Sequence, residues 1–136
     1  MADFIFFYGT LLPEHAPLEI RGALAALRPD GAGSVRGTLF DFGAHPGAVL
    51  SESAEGRVFG QVFELPDDPG VLAKLDEYEG YDPAATESEW FVRKRVVVSM
   101  EDGRTLPCWV YEYSGSTGGL TVIVSGRFAC REMKEE

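Results

Sequence analysis

Two long strand-like segments joined by a short turn constrain this chain more than any other feature. Residues 91–100 and 105–113 are rich in the β-branched and aromatic side chains that favour strands. Between them lies Glu101-Asp102-Gly103-Arg104, whose Asp-Gly pair is a strong hairpin signal, because a tight turn needs residues that tolerate a left-handed backbone. The sequence therefore predicts an antiparallel hairpin in the second half of the chain.

Further segments have the pattern of short strands or of helices. The strand candidates are residues 4–8, 35–42, 48–50, 57–65 and 120–124. One helix is predicted over 18–27, closed by Pro29-Asp30-Gly31. A second helix follows Asp68, which can cap its free amides, and Gly80 is expected at its end. Six or seven short strands with two or three helices predict an α+β fold, a small, partly closed β-barrel with flanking helices.

Length and charge limit the functions that this chain can have. Its 136 residues show no repeat and no linker, which predicts one domain over 1–136, with a core of about 4–128 and a charged tail after 131. The net charge of −10 opposes binding to nucleic acid and to anionic membranes. There is no apolar run near the roughly 20 residues of a membrane span and no signal-peptide pattern, so we expect a cytoplasmic protein.

The cysteines and histidines do not have the spacing of a metal site. Cys108 and Cys130 form no Cys-x-x-Cys pair, and His15 and His45 have no partner at the spacing of metal ligands. We therefore expect no bound metal. The cysteines are interpreted as two buried reduced thiols, with a disulfide between them as the alternative.

Glu79 is the first candidate for chemistry. It follows Leu72 and Leu75 at helical spacing, which places it on the apolar face of the second predicted helix. Burial raises the pKa of a carboxyl group, and such a group can exchange protons near neutral pH. The alternative is a structural ion pair with Arg93 or Arg95 in the next strand, or a side chain that turns outward at the frayed end of the helix.

Other charged residues near Glu79 are interpreted as surface groups. Asp76 and Glu77 form an acidic cluster with Glu79 that could suggest a cation site, but helical spacing directs Glu77 away from Glu79, and a solvated helix face explains the cluster better. The basic run Arg93-Lys94-Arg95 lies in a predicted strand, where alternate side chains point to opposite faces, so it does not form one continuous patch.

The segment Tyr8-Gly9-Thr10-Leu11 is the second candidate, because it directly follows the first predicted strand. A glycine turn at a strand end can direct successive backbone amides at one point and so bind an anion, and the Thr10 hydroxyl adds a donor. The alternative is an ordinary turn. The segment lacks the glycine spacing of a P-loop or a dinucleotide fingerprint, so nucleotide binding is not supported.

Six segments together point to a known family. They are residues 8–11, 43–49, 58–65, 75–80, 91–98 and 108–111. In this order they resemble the gamma-glutamylcyclotransferase-like superfamily, and most closely its short gamma-glutamylamine cyclotransferase or avirulence-induced-gene-like branch. The chain departs from the family pattern at three places: Phe91 where a tyrosine is common, His45 for an aromatic, and Gly126-Arg127-Phe128 for Gly-Asp-Trp.

The resemblance implies a fold and a reaction. The fold is a small mixed β-barrel with flanking helices, with no metal and no organic cofactor. The substrate is a small gamma-glutamyl compound whose α-amine attacks its own γ-carbonyl, giving 5-oxoproline and a free amine or amino acid. The chain is expected to be a monomer or a weak homodimer.

The resemblance also assigns roles to particular residues. Glu79 is the catalytic proton shuttle, while the amides of Gly9, Thr10 and Leu11 hold the substrate's α-carboxylate. Tyr8 and Tyr111 line the pocket or are simply core aromatics. We expect the Glu79 carboxylate and these amides to lie in one pocket, where a buffer anion such as formate, acetate or phosphate can bind.

Two alternative functions share this fold. The first is a catalytically silent domain that binds a small ligand. The second is a tailoring enzyme that removes a gamma-glutamyl group from a specialised metabolite by the same mechanism. The presence of both Glu79 and the segment 8–11 favours an active enzyme, because a decayed site would readily lose the carboxylate.

Overall fold

A computed structural model describes residues 3–8, 18–42, 46–79, 91–113, 115 and 118–127, and only the backbone at 18, 19, 21 and 79. Within these ranges the chain forms seven strands and two helices. In chain order they are β1 (Asp3–Phe7), α1 (Leu18–Ala25), β2 (Arg28–Asp41), β3 (Pro46–Leu50), β4 (Arg57–Leu65), α2 (Pro69–Glu79), β5 (Phe91–Met100), β6 (Thr105–Tyr113) and β7 (Thr121–Val122). Neither helix is long and apolar enough to cross a membrane.

Five strands close into a barrel in the order β2-β4-β1-β6-β5, and β5 pairs again with β2. Only β1 and β6 are parallel among these neighbours. The closing contact pairs Gly33 with Met100 and Ser34 with Ser99. A β-carbon at Gly33 would lie 2.7 Å from Val98 Cγ1, so only glycine lets these strands meet without displacement. The mixed barrel with flanking helices is confirmed, and it is closed rather than partly closed.

Strand β2 is longer than the sequence predicts, because the boundary between helix and strand lies elsewhere. Helix α1 ends at Ala25, and β2 already begins at Arg28 rather than near residue 35. The ladder with β4 shifts register between Pro29 and Gly31, and Gly31 has φ +138°. A bulge at this point tolerates Pro29, which has no N–H to donate to the ladder, and the positive φ of Gly31. The segment Pro29-Asp30-Gly31, predicted to end the helix, therefore lies within strand β2.

The two ends of β2 pair with different partners. Its first part, through Arg36, pairs with β4, and residues 37–41 pair with β3. The last strand candidate, 120–124, is reduced to the two residues of β7, which pair with Phe40 and Asp41 of β2. The long strand therefore carries the small extra strands at one end of the barrel.

The core has two parts, separated by the barrel wall. Alternation along β1 directs Phe6 and Tyr8 into the barrel, whereas Ile5 and Phe7 face α1 and α2. Leu75 of α2 is fully buried in this outer layer. Burial of each such side chain contributes roughly 1.5–3 kcal/mol, so α2 is held firmly against the wall.

Several local predictions are confirmed. The β5–β6 hairpin pairs continuously from Phe91–Tyr113 to Ser99–Thr105, and Gly103 in its turn has φ +98°. The Gly70 N–H donates to Asp68 Oδ1 at 2.9 Å, as expected for a helix cap. Gly80 and Cys130 lie outside the described residues.

The Cys108 thiol is free and lies inside the barrel. Burial raises its pKa to about 12, so Cys108 is a poor nucleophile near neutral pH.

Candidate functional site

The structure describes the site residues predicted from sequence only in part. Gly9, Thr10 and Leu11 lie outside the described residues, and so does the expected anion site at their amides. Glu79 is the last residue of α2, and its side chain is not described. Tyr8 and Tyr111 are both described and buried, so they show how the surroundings of the site are built.

Tyr8 lies directly after β1 and connects three strands at one end of the barrel. Its hydroxyl donates to the Tyr111 carbonyl oxygen on β6 at 2.6 Å. The same hydroxyl accepts the Ala48 N–H of β3 at 3.1 Å. These contacts fix the end of β1 through Tyr8, which directly precedes Gly9 in the sequence.

Tyr111 connects this strand end to helix α2. Its backbone carbonyl accepts from Tyr8, while its side chain extends to the opposite side of the wall. There its hydroxyl donates to Asp76 Oδ1 at 2.7 Å. One residue of β6 thus contacts both the strand that precedes residues 9–11 and the helix that ends at Glu79.

Asp76 is buried, so its interpretation as part of a solvated helix face is wrong. Its exposed fraction is 5%, whereas Glu77 is exposed as expected. Arg93 Nε donates to Asp76 Oδ1 at 2.8 Å and an Arg93 terminal nitrogen donates to Oδ2 at 3.1 Å. A buried carboxylate is stable only when it is paired in this way. Asp76 lies four residues after Leu72 and so lies beside the apolar face, but this spacing alone does not distinguish a buried carboxylate from a solvated one.

Arg93 is oriented from two sides. Its guanidinium lies 4.3 Å from the centroid of the Trp109 ring, and its charge is neutralised by Asp76. Arg95 lies over the same ring at 5.1 Å and pairs with the exposed Asp3 at 3.4 Å. Lys94, between them, points to the other face of β5 and pairs with Glu112, so the basic run is divided between two faces, as predicted. The alternative role of Glu79, an ion pair with Arg93 or Arg95, stays a prediction, because the structure does not describe the Glu79 side chain.

A second buried carboxylate, Glu112, lies on the inner side of the wall. Its Oε1 pairs with Lys94 Nζ at 2.6 Å, and its Oε2 accepts the Leu50 N–H of β3 at 2.8 Å. Tyr8 and Glu112 thus bind the amides of Ala48 and Leu50, which alternate along the free edge of β3. These contacts allow Glu112 to be buried and give it a structural role. The sequence pattern did not single out Glu112.

The contacts of Tyr111 connect the two candidate parts of the site. Tyr8 and Asp76 are bound by the same residue, Tyr111, although the Tyr8 side chain lies inside the barrel and Asp76 belongs to a helix outside it. Tyr8 directly precedes Gly9, and Asp76 lies one helical turn before Glu79. Within the part of the chain that the structure describes, no three metal-ligating side chains come together. Through Tyr111, the arrangement connects the end of β1 to the last turns of α2.

Comparisons with known proteins agree with this geometry. The family model described as gamma-glutamyl cyclotransferase, AIG2-like, matches residues 5–130. No curated protein sequence matches significantly. Among solved structures, ytfP from Escherichia coli is 26% identical, with 95% of this chain and 98% of that chain covered and a TM-score of 0.64.

Two further structures share the fold. An AIG2-like protein from Mus musculus is 21% identical, with 94% of this chain and 88% of that chain covered and a TM-score of 0.68. YkqA from Bacillus subtilis is 24% identical over 94% of this chain, with a TM-score of 0.68, and the chain spans only 40% of its length. The family match covers nearly the whole chain, including both candidate segments, and the chain therefore belongs to the gamma-glutamyl cyclotransferase, AIG2-like family.

Proposed function

We propose that this protein is a gamma-glutamyl cyclotransferase that needs no metal and no organic cofactor. The observation that carries the proposal is the hydrogen-bonded connection from Tyr8 through Tyr111 to Asp76. It joins the strand end before residues 9–11 to the helix that carries Glu79. The family membership supports the same chemistry.

In the proposed reaction, the substrate's α-carboxylate binds the amides of Gly9, Thr10 and Leu11. Glu79 accepts a proton from the α-ammonium group, since only the neutral amine can attack the γ-carbonyl carbon. The new C–N bond closes a five-membered ring, and the bond to the leaving nitrogen breaks as Glu79 returns the proton to it. The products are 5-oxoproline and a free amine or amino acid. Of the three α-ammonium protons, one reaches the leaving nitrogen through Glu79, and a second passes from the ring nitrogen to the released amine, which departs as an ammonium group. The third stays on the lactam nitrogen.

The described residues of the site act by orientation in this proposal. Tyr8 fixes the strand end from which the binding segment departs, and Tyr111 fixes Tyr8 relative to α2. Holding the amine and the carbonyl in a reactive geometry provides much of the rate gain of an intramolecular reaction. The protein is proposed to work in the cytoplasm on small gamma-glutamyl compounds.

The test is the release of 5-oxoproline from a panel of gamma-glutamyl dipeptides and gamma-glutamyl alkylamides. We expect wild-type protein to act on at least one class, and Glu79→Gln to reduce turnover by about 10²–10⁴-fold while 5-oxoproline still binds. Glu77→Gln is the control, because Glu77 is an exposed acid of the same helix. A folded Glu79→Gln variant with wild-type turnover would contradict the assigned base. Binding of 5-oxoproline with no turnover of any compound would favour the silent binding domain.

A further inference from the structure

We propose that Asp76 is a positioning residue: it holds the last turn of α2, and with it Glu79, against β5 and against Tyr111 of β6, the residue that also binds Tyr8 at the end of β1. This inference rests on the proposed cyclotransferase function, in which Glu79 is the base. Asp76 itself needs no contact with the substrate. Its part is to determine where the helix ends relative to β5 and β6.

Three donors from two strands converge on the Asp76 carboxylate. Arg93 on β5 supplies two of them, and Tyr111 on β6 supplies the third. Because Asp76 is 5% exposed, these hydrogen bonds are shielded from water and direct the helix to one position. Residues three apart on a helix lie on the same face, so the constraint at Asp76 reaches Glu79 through one turn of rigid backbone.

Only a carboxylate satisfies all three donors. Asp76 Oδ1 accepts from both Arg93 Nε and the Tyr111 hydroxyl, and Oδ2 accepts from the terminal nitrogen of Arg93. An asparagine places an NH₂ group at one of these oxygens, where it faces an Arg93 donor in either orientation. Asp76→Asn therefore preserves size but breaks at least one contact to β5.

Glu112 offers a matched control for the loss of a buried carboxylate. Its exposed fraction is 8%, it pairs with one cation, Lys94, and it accepts one further hydrogen bond, from the Leu50 amide. It lies on β6 and faces the other side of the wall from α2. Glu112→Gln thus disturbs a similar buried contact without touching the helix that carries Glu79.

The kinetic experiment compares Asp76→Asn with Glu112→Gln in the full-length protein, using the gamma-glutamyl compound that wild type converts fastest. We expect Asp76→Asn to lower kcat by about 10–100-fold, since small displacements of a reacting group are costly, with KM almost unchanged. Glu112→Gln is expected to leave kcat close to the wild-type value. Equal losses of kcat in the two variants would overturn the proposal, because they would reflect general destabilisation.

Amide hydrogen exchange gives a second readout that does not depend on turnover. Exchange at residues 77–79 is expected to accelerate in Asp76→Asn and to stay unchanged in Glu112→Gln. Unchanged exchange at these amides in Asp76→Asn would also overturn the proposal. If wild type releases no 5-oxoproline from any compound, the proposed function fails, and the exchange comparison still decides whether Asp76 holds the helix end.

Discussion

Removing the arginine from the buried ion pair between Arg93 and Asp76 is expected to lower stability far more than removing it from the exposed pair between Arg95 and Asp3. The two arginines lie on the same face of β5, over the ring of Trp109. Their partners differ in burial: the side chains of Arg93 and Asp76 are 13% and 7% exposed, whereas those of Arg95 and Asp3 are 46% and 53% exposed. Arg93→Met and Arg95→Met remove the same charge from the two environments and keep most of the aliphatic stem.

The expected magnitudes follow from this geometry. Arg93→Met leaves Asp76 buried with no cation, and breaking a buried pair in this way costs about 3–5 kcal/mol. Asp76 keeps its hydrogen bond from Tyr111, so we expect the lower end, about 3 kcal/mol. The Arg95 pair spans 3.4 Å and is about half exposed, so solvent screening limits its contribution to about 0–1 kcal/mol.

Urea unfolding of wild type and both variants measures this difference. With a slope of about 1.5–2 kcal/mol per molar for a domain of this size, Arg93→Met should lower the midpoint by about 1.5–2 M. Arg95→Met should lower it by less than about 0.7 M. A midpoint shift for Arg93→Met no larger than that for Arg95→Met would refute the assignment of Asp76 as a buried, ion-paired carboxylate.

Three further outcomes are expected. Tyr8→Phe removes a hydroxyl that makes two buried hydrogen bonds and leaves the Ala48 amide unpaired, so the free energy of unfolding, measured by denaturant titration, should fall by about 2–4 kcal/mol. A loss below about 1 kcal/mol would contradict the described contacts. Gly33→Ala places a β-carbon against β5, so the free energy of unfolding in the same assay should fall by about 1–3 kcal/mol. A stabilised variant would be incompatible with closure of the barrel at this position. In a Cys130→Ser variant, Cys108 should react with iodoacetamide at pH 8 only when urea is present, because burial raises the pKa of the thiol and keeps it protonated. Rapid alkylation of the folded protein would contradict the burial of this thiol.

Much of the local structure could be predicted because the signals for it lie within a few residues. The Asp-Gly turn determines the β5–β6 hairpin, since Gly103 adopts φ +98° there. The Asp68 side chain begins α2 by binding an amide two residues away. The family, too, could be identified from short motifs in order, and the model match over residues 5–130 confirms it.

Other features depend on contacts between distant residues. Pro29 and Gly31 have the composition of a helix stop, yet pairing with β4 makes them a bulge within β2. Helical spacing alone favours a solvated role for Asp76 as readily as a buried one. Its partners decide the outcome, and they lie 17 residues away at Arg93 and 35 residues away at Tyr111.

The sequence by itself therefore determined most of the strands and helices, the hairpin, the helix cap and the family, because each depends on short-range geometry or on recognisable motifs. Only the tertiary structure decided that the barrel closes through Gly33 and that Asp76 is buried. It alone also showed that Tyr111 contacts both Tyr8, 103 residues away in sequence, and α2. Burial and pairing of a polar side chain depend on which elements pack together, and local spacing does not contain that information.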